Sequence, residues 1–88
     1  MTVAVLVKGR YETLAGARTK SVGPNVLEIE IPMTPEIMKR TRRGGQAEDW
    51  DGAMFLVNDV EAEPAVGSGE TPTSVRVTVF FLGGLPKA

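Results

Sequence analysis

The chain has 88 residues, no cysteine and no histidine, which bounds it to a single domain and excludes disulfide staples and the usual ligands of zinc and haem sites. Its net charge of −1 speaks against a chain built mainly to neutralise phosphates. A domain this small buries a modest fraction of its surface, so its free-standing stability is expected to be modest too.

Thr2 to Lys8 is apolar on both sides, with Val3, Val5 and Val7 facing one way and Ala4 and Leu6 the other, the pattern of an interior strand. No basic residue precedes this run and it is too short for a signal-peptide core or a membrane span. The expectation is a chain that is not exported: cytoplasmic, or part of a virion if viral in origin. Gly9-Arg10 breaks the strand. Tyr11 to Asn25 is poor in large apolar residues and holds Gly16, Gly23 and Pro24. It reads as an irregular excursion with a short strand near Ala17–Val22.

Val26 to Ile31 alternates cleanly, with Leu27, Ile29 and Ile31 on one side and Glu28 and Glu30 on the other. That is an antiparallel strand with one wet face, stopped by Pro32. Thr34-Pro35-Glu36 is a helix start, combining a capping hydroxyl, proline at the first helical position and an acid at the positive end of the dipole. The helix is expected over about 35–43, with Lys39, Arg40, Arg42 and Arg43 in its last turn and Gly44-Gly45 ending it. Gln46 to Gly52 reads as a polar turn carrying Trp50 between Asp49 and Asp51.

Ala53 to Val57 reads as a further buried strand that frays at Asn58-Asp59. Glu61 to Thr73, with Pro64, Gly67, Gly69 and Pro72, reads as a long loop. Val75 to Leu82 is the last strand. Its Val75, Val77, Val79 and Phe81 face is wholly apolar, while the Arg76, Thr78, Phe80, Leu82 face runs from polar to apolar. The strand is therefore expected to be covered late in its course. Segments 11–25 and 61–73 and the tail 83–88 are expected to be flexible or held by a partner.

These elements predict an α+β, β-rich domain: an antiparallel or mixed sheet of about four strands with one short helix. Three of the four strands lack a fully polar face. One short helix covers only part of a sheet, so either a second small sheet or another chain is expected to close it.

Candidate chemistry is sparse. With histidine and cysteine missing, no nucleophile stands beside a recognisable base, and the chain is not expected to be an enzyme or to carry a cofactor. No small-molecule substrate or membrane partner is indicated. Glu28 and Glu30 lie about 7 Å apart on one strand face, a spacing compatible with paired acids but also that of any wet strand face. Asp49-Trp50-Asp51-Gly52 lacks the further oxygen ligands a calcium loop needs, position 53 being Ala. No metal site is assigned.

Lys39, Arg40, Arg42 and Arg43 could contact phosphates, yet basic residues also suit a helix C-terminus for dipole reasons. The five aromatic residues offer few stacking platforms for bases. Trp50 is open to two placements, as a core plug or as an exposed interface anchor. The charge is segregated: residues 1–47 carry eight basic and four acidic groups, residues 48–88 two basic and seven acidic. Either the halves face one another in one fold, or patches of opposite sign meet between neighbouring copies.

These features favour a non-enzymatic structural or assembly protein that packs on copies of itself or on a larger scaffold, such as a virion shell or decoration component. Its expected partner contacts are Trp50, Asp49, Asp51, Lys39, Arg40, Arg42 and Arg43. The alternatives are a nucleic-acid-binding or regulatory accessory protein using the basic helix end, and a small protein inhibitor of an enzyme or defence complex.

Overall fold

The computed structural model describes residues 1–7, 9–36, 50, 53–64 and 69–86, with backbone alone at Val7, Pro64 and Glu70. Among the described residues eight strands form one antiparallel sheet: β1 (Val3–Val7), β2 (Arg10–Thr13), β3 (Arg18–Gly23), β4 (Val26–Pro32), β5 (Phe55–Val57), β6 (Val60–Pro64), β7 (Gly69–Glu70) and β8 (Ser74–Phe80). Their order is β2-β1-β5-β6-β8-β4-β3, with β7 added alongside β8. The expected β-rich character holds, but the sheet has twice the strands read from sequence.

The additional strands come from tight turns. Val7 pairs with Arg10, Gly23 with Val26 and Val57 with Val60, so three hairpins close through two-residue loops. Gly9 sits at φ +79 in the first of these, a conformation that only glycine adopts at no steric cost. In the third, Asn58 and Asp59 are both left-handed, at φ 49 and 65. Such a turn carries the twist that two antiparallel strands need.

Asn58-Asp59 is therefore a hairpin turn, where fraying was expected. Segment 11–25, read as irregular with a short strand near Ala17–Val22, contains most of β2 and, at the place of that strand, β3; segment 61–73, read as a loop, contains most of β6 and all of β7. The final strand ends at Phe80, two residues earlier than expected. Of the helix expected over 35–43, Pro35 and Glu36 are helical. Its remainder, with Lys39, Arg40, Arg42 and Arg43, lies outside the described residues, as do Asp49 and Asp51.

β6 joins the two halves of the sheet. Val60 to Ala62 pairs with β5, whereas Glu63 and Pro64 pair with Phe80 and Val79 of β8. The sheet cannot be flat. Seven strands side by side would separate the edge strands β2 and β3 by about 29 Å, yet four residues, 14–17, connect them, a reach of at most about 17 Å. The sheet is therefore rolled. A radius of gyration of 11.8 Å agrees with the roughly 12 Å of a compact chain of this length.

Leu14 closes the seam: it is buried, and its N–H donates to the Val3 carbonyl at 2.8 Å. Thr19 Oγ1, on β3, lies 3.3 Å from Met1 Sδ, which brings β3 to the start of β1.

Rolling puts one face of β1, β4, β5, β6 and β8 inside. Val3 and Val5, Leu27, Ile29 and Ile31, Phe55 and Val57, Ala62, and Val75, Val77 and Val79 are all buried there. Leu27 stands opposite Val79, Ile29 opposite Val77 and Ile31 opposite Val75, so β4 and β8 form the spine of the core by direct cross-strand packing. The closure expected from a second sheet or another chain is thus supplied by the two halves of one sheet.

Candidate functional site

Charge on the outer face alternates across strands. Arg18, Glu30 and Arg76 are successive neighbours on β3, β4 and β8, and Lys20, Glu28 and Thr78 form the next row. Glu28 and Glu30 each therefore have a basic residue as a cross-strand neighbour, an arrangement that favours pairing on a wet face. Because β8 comes from the acidic half of the chain and β3 from the basic half, this region mixes the two signs. The acidic excess persists elsewhere, on β6 and the turn before it.

There Asp59 occupies the tight turn, and Glu61 and Glu63 project from the outer face of β6; all three are exposed. Glu63 stands opposite Phe80. β8 then leaves the sheet: the Phe81 N–H donates to the Asn25 carbonyl at 2.9 Å and its ring enters the core. Gly84, at φ +91, turns the chain onward. Leu82 is left 78% exposed and Val60 41% exposed. The late cover expected for this end of the strand is therefore missing at Leu82.

Between β6 and the departing chain lies a groove of about 440 Å³, open to solvent on one side. Val60, Phe80 and Leu82 give it apolar walls, and Asp59, Glu61 and Glu63 flank them. Among the described residues β8 pairs with β6 only at Glu63 and Pro64. The edge of β6 from Val60 to Ala62 that faces away from β5 has no strand beside it there. The volume falls in the range of ligand pockets, but an open trough suits a protein segment better than an enclosed small molecule.

A second cleft lies at the other end of β8 and is polar, lined by Arg18, Glu30, Thr71, Thr73 and Ser74 among others. A hydroxyl turn forms one wall. Thr71 Oγ1 accepts from the Ser74 N–H at 3.0 Å and lies 2.9 Å from Ser74 Oγ. The Thr71 N–H donates to the Ser74 carbonyl at 2.8 Å. These bonds satisfy the turn internally, so its polar atoms are already engaged.

Of the two placements open to Trp50, the structure has the buried one, at 4% exposure. Its ring packs tilted on Phe55 at 6.3 Å between centroids, inside the favourable range for aromatic pairs. The indole is not presented at the surface. Among the described residues its buried Nε1 has no hydrogen-bond partner.

Among the described residues no group of three or more acidic side chains is placed to hold a metal ion, and no helix is long and apolar enough to cross a membrane. The β6–β8 groove was missed at sequence level because it needs β6 to be a strand. The signal present was the polar-to-apolar run Arg76, Thr78, Phe80, Leu82. Comparison with known proteins adds no kinship: no family description, curated protein or solved structure matches the chain.

Proposed function

We propose that this chain is a non-enzymatic assembly module that packs on copies of itself or on a larger scaffold, as a virion shell or decoration component would. The observation that supports this reading is the position of Leu82, Val60 and Phe80. They are exposed or half-buried in one groove of a molecule whose core is already closed by its own rolled sheet. Apolar side chains left outside a finished core and beside charged neighbours are the composition of a contact patch, with an apolar centre and a polar rim. The groove is also held firmly, since a two-residue turn and a buried Phe81 fix its two sides.

A role in catalysis has less support, because the side chains around the groove offer carboxylates but no nucleophile beside a base. Sedimentation velocity of the purified chain at micromolar concentration tests the reading. Self-association is expected, and Leu82→Ser should weaken it without changing the far-ultraviolet circular dichroism. A monodisperse monomer throughout that range would overturn self-packing.

A further inference from the structure

We infer that the acidic groove beside β6 is the acceptor for the basic segment 37–43 of a second copy of this chain. The inference rests on the assembly reading above and names its partner. The argument is complementarity of both kinds at once. The groove offers three apolar side chains, Val60, Phe80 and Leu82, flanked by the three exposed carboxylates of Asp59, Glu61 and Glu63. The segment offers two apolar residues, Ile37 and Met38, followed by the four cations Lys39, Arg40, Arg42 and Arg43. Each half of that pattern has its counterpart in the groove.

Apolar anchors in a trough supply binding energy, and opposite charges around them set orientation and speed the encounter. Arginine adds geometry, because its planar fork matches a carboxylate with two parallel hydrogen bonds. The segregated charge of the chain acquires a use on this account. The acids of β3's neighbours are matched with bases across the sheet, whereas those of β6 have as cross-strand neighbours only Leu56 for Glu61 and Phe80 for Glu63. The carboxylates left facing apolar neighbours are the ones that line the groove.

Groove and segment are different parts of one chain, so each copy carries one of each. Two copies can engage reciprocally as a dimer, or successive copies head to tail. Both forms predict association that weakens as salt is raised, because much of the complementarity is electrostatic and exposed.

The test is a charge exchange read by sedimentation velocity. One variant reverses the groove (Glu61→Lys with Glu63→Lys) and a second reverses the segment (Arg42→Glu with Arg43→Glu). Each alone should self-associate at least about tenfold more weakly than the natural chain, a change of about 1.4 kcal/mol. Mixed in equal amounts the two should associate again, since the natural groove of the segment variant then meets the natural basic segment of the groove variant.

Should the reversed groove not fold, as judged by circular dichroism, the neutral pair Glu61→Gln with Glu63→Gln serves in its place and should show the same loss in smaller degree. Self-association of the natural chain that both reversals leave unchanged would overturn this inference and leave the assembly reading standing on another surface. Loss in each variant without recovery on mixing would also overturn it, because groove and segment would then not be each other's partners. A natural chain that stays monomeric would overturn this inference together with the self-packing form of the assembly reading.

Discussion

The two ends of β8 differ, although one alternating pattern runs through the strand. At its start Ser74 is buried, and the Thr71 hydroxyl, the Ser74 N–H and the Ser74 hydroxyl satisfy one another in a closed turn. β4 lies on one side and β7 on the other. At its finish the inward residue Phe81 stays in the core while its outward neighbours Phe80 and Leu82 border an open groove. The polar end completes its hydrogen bonds within its own turn, whereas the apolar end leaves outward side chains exposed. A turn can complete its own hydrogen bonds locally, whereas an outward apolar side chain is covered only if some other segment crosses it.

Substitutions can break this contrast or sharpen it. The largest effect is expected at Phe81, which is fully buried beneath the open end. Phe81→Ala should cost about 3–5 kcal/mol in denaturant unfolding, showing that the groove is open only above a solid floor. A cost below about 1 kcal/mol would mean that the whole end is loose.

At the polar end, Thr71→Val should cost about 1–3 kcal/mol, since it leaves the Ser74 N–H and hydroxyl without the partner they share. No measurable change in unfolding midpoint would show that the hydroxyl turn does not hold that end. Gly16 borders the same polar cleft at φ +78, and a Cβ there would lie 3.3 Å from Pro32 Cγ. Gly16→Ala should therefore cost about 1–2 kcal/mol by the same measurement. Leu82→Ser sits at the other extreme. Its stability should change by less than about 0.5 kcal/mol while self-association falls, and a large loss of stability would show that Leu82 contributes to the fold instead.

How much of this could be read beforehand varies by element. The inward sets Leu27, Ile29, Ile31 and Val75, Val77, Val79, Phe81 are all buried as their alternation required. β6 escaped because its alternation, Glu61 and Glu63 outside with Ala62 between them inside, is carried inward by an alanine that looks neutral in a window of sequence. Ala62 is nevertheless fully buried, at the place where the two halves of the sheet join. β2 escaped, and β3 was legible only as a short strand near Ala17–Val22, for a related reason. As the edge strands of a roll they need little apolar surface, and β3 buries none of its residues fully. Of the groove, only the outward drift toward Phe80 and Leu82 was visible; its acidic flank required knowing that Glu61 and Glu63 lie on a strand next to β8.

By itself the sequence determined which side of each well-patterned strand turns inward, because pleating is local and a period of two is written in consecutive residues. It also marked Gly9 as a break, though not that Asn58-Asp59 would turn the chain back instead of fraying. Only the tertiary structure decided that β6 bridges two half-sheets, that four residues draw the edges together into a roll, and that Trp50 lies inside. Those outcomes depend on pairing between residues far apart in the chain, and such pairing leaves no local periodicity to read.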